Sequence, residues 1–498
     1  MKHVIYIIAI LLPWACVPDN GNYAYADLDE LSPAKVTGIN AEYTLQMMDT
    51  LRLSPTIEAN DDNHDYLWFI YSTTMERDTI GHQRELQYIV TLPPALNYRL
   101  ALQVTNRQSG LYKFHYATLK VITPFAEGYY VTKDRDRVTD LDFIFPDGKI
   151  APDILAAANG EGVPGEAVTF ANAKNISVIV TLEDGRDTTY KNHHCFYVMT
   201  RSTVQIYDAQ DARLMNKIDK LFMKLPDNYA PHDIICVDGA KVITNDSLSY
   251  VLDTRASAEN IGRWGVATPG SRLDPVNICR SSVGGFLVFD PDSRSLKQLN
   301  TFKGAYTNVI GGALASYNMV FMKEKAQITA GGVALLRHRD TRALHGLTIK
   351  GLSAAGLWES PVTPMVTNPV ATNVAVPAAS KLHDATLYGT HASMDALYFS
   401  AGDNELWYYN LVNSDEQNVI TLPPDERIVY AQTLMRYISG ATLSNLAVLT
   451  SVGAGWTLRV YDFQPSSPLV VSAPILTVSG NGSPRQVFYR SLTSNTSF

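Results

Sequence analysis

The densest group of titratable side chains is Lys133-Asp134-Arg135-Asp136-Arg137, followed by Asp140 and Asp142. Two carboxyl groups held roughly 5–10 Å apart can divide acid and base roles in glycoside hydrolysis. Here the acids alternate with arginines in a turn, so the sequence predicts a solvated hairpin with its charges outward. His193 and His194 could ligate a metal, but neighbours on a strand point to opposite faces. No third histidine or carboxylate stands at ligand spacing, so no metal is assigned. Asp290-Pro291-Asp292-Ser293 opens like a calcium loop yet lacks the glycine and distant glutamate that complete one; a type I turn accounts for it. Arg337-His338-Arg339-Asp340 with His345 reads as an exposed hairpin. No Gly-x-Ser-x-Gly nucleophile turn occurs, and Gly311-Gly312 and Gly331-Gly332 lack the following helix that a phosphate cradle needs. No catalytic residue and no cofactor is therefore assigned. Aromatic side chains remain, because a sugar ring stacks its C–H face on Trp or Tyr. Trp264, in Gly262-Arg263-Trp264-Gly265, and Trp358, at the start of a Pro/Val/Ala/Asn/Thr-rich stretch running to Ala379, lie outside strand alternation and are the two candidate ligand-binding residues. Trp407-Tyr408-Tyr409 and Trp456 sit in strand patterns and read as core.

These candidates must be carried by strands. Apolar, β-branched and aromatic runs recur in pairs around short polar turns, the second run ending in Tyr-Asp, Phe-Asp or Tyr-Asn: Cys195 to Asp208, Gly284 to Asp290, Ala396 to Asn410 and Asn445 to Asp462. Hairpins repeated along 498 residues predict an all-β chain with a β-propeller over residues 124–498. Strand groups near 128–150, 176–224, 233–265, 276–303, 305–350, 383–422 and 428–495 favour seven blades, with six or eight as alternatives. Gln486-Val487-Phe488-Tyr489 is expected to close the ring against the first blade and remove its open edge. Ile154 to Phe170 and the stretch after Trp358 break the rhythm, and function is expected in such departures.

The totals exclude one class of partner. Net charge is −8 with 18% charged residues, and no basic run offers phosphates a surface, so nucleic acid is not a partner. The N-terminus points to export. Lys2 and His3 precede an apolar run from Val4 to Trp14, too short to span a bilayer and the length of a signal-peptide core. Leu11-Leu12-Pro13-Trp14-Ala15-Cys16 resembles a bacterial lipobox, with Pro13 where an aliphatic residue is usual. This predicts a signal peptide over 1–15, a lipid on Cys16 and a polar tether over 16–33; a plain secretory cut near Ala15 is the alternative. Cys195, Cys236 and Cys279 stand in apolar strands and are expected to be buried free thiols, with one disulfide as the alternative.

Residues 34–122 hold several short strands, the clearest being Tyr98 to Thr105, whose residues 98, 100, 102 and 104 share one face. Tyr66 to Tyr71 places Trp68 in a central strand, which fits an immunoglobulin-like sandwich without the disulfide. Tyr98 to Asn106 followed by Gly110 is similar to the closing strands of PKD domains, while Trp68-Phe69-Ile70-Tyr71 replaces their Trp-x-Phe-Gly-Asp-Gly. Together with Cys16, Asp19 to Asp27, Gly38-Ile39-Asn40-Ala41-Glu42-Tyr43 and Pro124 to Val131 leading to Thr139-Asp140-Leu141-Asp142-Phe143-Ile144, the first 210 residues resemble the PKD-like lipoproteins of Bacteroidota. The resemblance implies a lipid-anchored outer-membrane or cell-surface protein with a PKD-like sandwich as spacer. It also implies a non-catalytic propeller that binds a glycan or a partner protein of an outer-membrane polysaccharide uptake system. A purely structural or protein-interaction module and a propeller glycosidase or lyase are the alternatives.

Overall fold

The computed structural model describes residues 35–46, 49–58, 63–72, 75–92, 95–181, 185–237, 240–253, 262–270, 272–280, 285–301, 305–310, 314–326, 331–349, 374–438 and 441–491. Cys16, Trp358 and the proposed signal peptide and tether lie outside them. The chain divides into two units, Met1–Ile122 and Thr123–Phe498. Among the described residues no helix is long and apolar enough to cross a membrane.

The first unit is a sandwich. Its larger sheet runs in the order Glu42–Gln46, Tyr112–Ile122, Ala95–Asn106, His64–Ser72 and Met75–Gly81. Glu42–Gln46 pairs in parallel with Tyr112–Ile122, and the other pairs are antiparallel. Period-two alternation turns Tyr98, Leu100, Leu102 and Val104 to one face, all at most 5% exposed. They pack with Trp68, fully buried, on Leu51, Leu53 and Leu86 of the two-stranded sheet Thr50–Leu53 and Leu86–Ile89. The Trp68 indole N–H donates to the Gln83 carbonyl at 3.0 Å, so the ring is buried without an orphaned donor.

The second unit is a β-propeller, and its described residues form seven antiparallel sheets. Blade 1 combines Gly128–Arg135, Val138–Ile144 and Ile150–Ala151 with the last strand of the chain, Ser483–Arg490. Blade 2 runs from Ala167–Thr181 through Asp187–Thr200 and Val204–Asp208 to Leu214–Lys217, and blade 3 comprises Pro231–Val237, Ala240–Asn245 and Leu248–Asp253. Blade 4 runs from Ile278–Arg280 to Ala305–Ile310, blade 5 from Tyr317–Glu324 to Val374–Ala375, blade 6 from Tyr388–Thr390 to Glu416–Thr421, and blade 7 from Glu426–Ile438 to Leu476–Asn481. Seven is the count the hairpins favoured. Ala305–Ile310, expected to begin the fifth blade, instead pairs with Ser295–Asn300 as the outer edge of blade 4.

The repeated Tyr-Asp ending has a local cause. Cys195 opposes Asp208, Asn445 opposes Asp462 and Ala396 opposes Asn410, so each ending occupies one register of the second and third strands. Its side-chain oxygen accepts backbone N–H groups of the next turn: Gln210 to Asp208 at 2.7 Å, Asp292 and Ser293 to Asp290 at 2.8 and 3.1 Å, Val412 to Asn410 at 2.8 Å. Four residues on, Ala212, Arg294 and Ser414 take positive φ. A short polar acceptor that fixes such a turn is a structural requirement of the blade. His338 and His391 do the same through Nδ1, His391 accepting from Ser393 and Met394 at 3.2 and 3.0 Å.

His391 is 5% exposed, and burial, helped by nearby Lys325, pulls its pKa down to about 4. A histidine whose folded pKa lies below its unfolded value of about 6.5 contributes stability that is complete above pH ~6.5 and is lost as pH falls towards 4. Urea unfolding is therefore expected to cost roughly 2 kcal/mol more of stability between pH 7 and 4.5 in the wild type than in His391→Asn, which keeps a turn acceptor without the titration. An equal acid sensitivity in both would contradict this.

The charged hairpin departs from expectation. Lys133 and Asp142 are 3% and 1% exposed in their side chains and lie 2.6 Å apart, with Lys133 also 2.9 Å from Asp153. Asp140 accepts from Leu155 N and Ala156 N at 2.9 and 3.1 Å, the first turn of the helix Ile154–Asn159. The segment 154–170, expected as an insert, folds back over the hairpin and covers it. Ile154, Leu155 and Phe170 fill a core with Tyr130, Phe143 and Phe488. Only Asp136 and Arg137 take the exposed two-residue turn, both at positive φ.

Candidate functional site

The first-edge strands of the sheets face one another around the ring and enclose a cavity with a free volume of about 140 Å³. Six blades contribute to its wall. At about 30 Å³ per liquid water it holds on the order of five waters or one small ring-sized ligand. Close approach of the blades needs Gly389 in the inner strand of blade 6, where a Cβ would meet the Ala431 carbonyl oxygen at 2.0 Å.

Four charged side chains of these strands converge here: Asp233 from blade 3, Arg280 from blade 4, and Lys323 and Glu324 from blade 5. Two of them are committed to each other. Arg280 Nε and Nη2 both lie 2.6 Å from Glu324 Oε1, and Arg280 N donates to Oε2 at 3.0 Å. Burial pushes the Glu324 carboxyl up, but Arg280 and Lys323 outweigh it and hold the group below its usual value. This clamp ties blade 4 to blade 5. Gln432 does the same between blades 7 and 6, donating from Nε2 to Thr390 Oγ1 at 2.7 Å, and Gln486 Oε1 accepts from Phe170 N at 3.1 Å across blades 1 and 2.

Asp233 and Lys323 are less constrained. Burial raises the Asp233 carboxyl pKa, with Lys323, Thr169 and Arg280 acting the other way. Among the described residues the Lys323 ammonium makes no hydrogen bond or ion pair. Among the described residues, Thr433, in the wall and 3% exposed, has no partner for its hydroxyl. A cation, a carboxyl acceptor and an unmatched hydroxyl around one small space suit a ligand rich in hydroxyl groups.

The residues singled out in the sequence do not meet at this cavity. Trp264 is fully buried, 5.6 Å from the Tyr197 ring and 6.5 Å from Phe222, inside the core of blades 2 and 3. Its turn is where expected, but Gly262, at φ 68°, comes so close to Ser177 that a Cβ would meet its carbonyl oxygen at 2.4 Å. That approach presses the turn onto blade 2 and drives the indole inward, so Trp264 is not an exposed platform. Trp456 is buried as expected and donates from Nε1 to Asp142 at 3.2 Å. His193 Nε2 lies 2.9 Å from Asp208, on the turn acid of its own blade. Among the described residues no three His, Cys, Asp or Glu side chains form a ligating group. Cys195, Cys236 and Cys279 are free and buried. The signal for the cavity was present as a lone charge in an apolar inner strand, as in His232-Asp233-Ile234-Ile235-Cys236, but it needs the ring to bring such charges together.

No functionally curated protein matches the chain. Among solved structures, a quinonprotein alcohol dehydrogenase-like protein of Bacteroides thetaiotaomicron is similar at 13% identity, with 92% of this chain and 99% of that chain covered and a TM-score of 0.41. A protein of unknown function from the same organism is similar at 9% identity, covering 85% and 96%, with a TM-score of 0.28. PorZ, a surface component of the type-IX secretion system of Porphyromonas gingivalis, is similar at 10% identity, covering 72% and 46%, also at 0.28. Residues 16–167, a span that carries the sandwich and enters the first blade, match the model of the PKD-like family.

Proposed function

We propose that the chain is a lipid-anchored cell-envelope protein that binds a glycan without transforming it, with the propeller's central cavity as the site. The observation that carries this reading is the convergence of Lys323 and Asp233 on a space of about 140 Å³ walled by six blades, with the Lys323 ammonium in no hydrogen bond or ion pair among the described residues. Lysine donates to sugar hydroxyls and Asp233 accepts from them, while aliphatic neighbours such as Ile278 and Val487 cover ring C–H faces. Glycoside hydrolysis ordinarily needs two carboxyl groups. Of the two at the cavity, Glu324 is clamped by Arg280, which favours capture over cleavage.

Envelope anchoring rests on Cys16 behind an apolar run of signal-peptide length, and a role in polysaccharide uptake rests on the PKD-like resemblance. The test is a thermal-shift survey of the full chain against neutral, amino and acidic mono- and oligosaccharides, with chromatography of each mixture for products. A ligand-dependent rise in melting temperature without product is expected. Lys323→Met and Asp233→Asn should each weaken binding by about tenfold or more, the loss of one hydrogen bond to a charged group. A flat response across the survey would leave a structural module, and released product would make the protein an enzyme.

A further inference from the structure

The sandwich carries a second feature that its role as a spacer does not use. On the face of the larger sheet turned away from the core, Tyr112, Phe114 and Tyr116 follow one another at two-residue spacing along one strand. Their ring centroids are 5.3 and 5.8 Å apart, and Phe69 extends the row at 5.8 Å from Phe114. None of the four packs in the cluster between the two sheets, though Phe69 is 5% exposed beneath Arg77. Tyr112 is 58% and Tyr116 45% exposed, so two aromatic rings are held in the open on a rigid sheet. Folding gains little from that placement, since the two rings keep about half of their exposure to water.

Charge selects the occupant. The Arg77 guanidinium lies 3.6 Å from the Phe69 ring centroid and Arg99 lies 5.1 Å from that of Tyr116. Both arginines are exposed and neither has a carboxylate partner among the described residues. Of the nearby acids, Asp65 is paired with Arg107 at 2.7 Å and Glu42 with Lys120 at 2.5 Å, while Glu76 and Asp78 flank Arg77 along the edge strand. The face thus presents stacking rings with two guanidinium groups held against them, on a chain whose net charge is −8.

We propose that this face is a binding site for an acidic polysaccharide, whose pyranose rings stack on Tyr112 and Tyr116 and whose carboxylates meet Arg77 and Arg99. Stacking supplies contact tolerant of the exact sugar, and the planar guanidinium forks supply the preference for carboxylate over hydroxyl. This site is separate from the propeller cavity and does not depend on it.

The test is native affinity electrophoresis of the full chain in gels containing alginate or neutral dextran. Alginate is expected to retard the wild type and dextran to leave it unretarded, with the retardation falling as salt rises. Tyr112→Ala with Tyr116→Ala should weaken alginate binding about tenfold, whereas Tyr112→Phe with Tyr116→Phe keeps the rings and should retain it. Arg77→Gln with Arg99→Gln should abolish the preference for alginate, and Lys323→Met in the propeller should leave it unchanged. Equal retardation by dextran, or alginate binding that survives both the alanine and the glutamine pairs, would overturn the proposal. So would a concentration-dependent dimer that disappears in the alanine pair without any change in alginate binding, since the face would then be an interface between copies of the chain.

Discussion

Truncation of the chain after Asn481 is expected to abolish cooperative unfolding of the propeller. Ser483–Arg490 pairs with Gly128 through Asp134, so its removal leaves a row of unpaired backbone groups on a sheet edge inside the ring. It also withdraws Val487, Phe488 and Tyr489, each buried, at roughly 1.5–3 kcal/mol apiece. Polar ties go with them: Gln486 to Phe170 N at 3.1 Å, Tyr489 Oη to Glu127 at 3.0 Å and Arg490 to the Phe125 carbonyl at 3.1 Å. The sum approaches the whole of a typical domain's stability of about 5–15 kcal/mol. Calorimetry of the truncated chain should show a broad, low-enthalpy transition and its solution should bind a hydrophobic dye. A sharp melt within a few degrees of the full chain would contradict the closure.

Lys133→Ala is the second substitution expected to act strongly. Its ammonium is the common partner of Asp142 and Asp153 beneath the 154–170 segment, and removing one member of a buried pair leaves an uncompensated charge at a cost of about 3–5 kcal/mol. Asp142 also accepts from Asp153 N at 2.9 Å and from Trp456 across to blade 7. A partner mutation should therefore keep its acceptor oxygen: Lys133→Met with Asp142→Asn is expected to recover most of the loss, a non-additivity that chemical denaturation reads directly. A cost below about 1 kcal/mol for Lys133→Ala would mean that water reaches the cluster.

The strands were legible because period-two alternation and the acceptor-turn ending report local physics. Tyr98, Leu100, Leu102 and Val104 face one way for the same reason in any sheet, and Asp208, Asp290 and Asn410 fix their turns with neighbours two or three residues away. What could not be read was set by segments far apart in the chain. Lys133 and Asp142 looked solvated because nothing local shows that residues 154–170 return to cover them. Trp264 looked exposed because its turn is polar, while its burial depends on the approach of Gly262 to Ser177, some 85 positions earlier. The cavity was invisible for the same reason. Asp233, Lys323 and Thr433 lie on three separate inner strands, and only ring closure by residues 483–490 makes them neighbours.

The central claim is that the space between the inner strands is a ligand site. Isothermal titration of the full chain with the sugar that most raises its melting temperature tests it most directly, run in parallel on Lys323→Met and on the pair Tyr112→Ala, Tyr116→Ala. A single saturable site that weakens about tenfold or more in Lys323→Met and is unchanged in the tyrosine pair is the expected result. Binding indifferent to Lys323 would contradict it and move the site out of the propeller cavity.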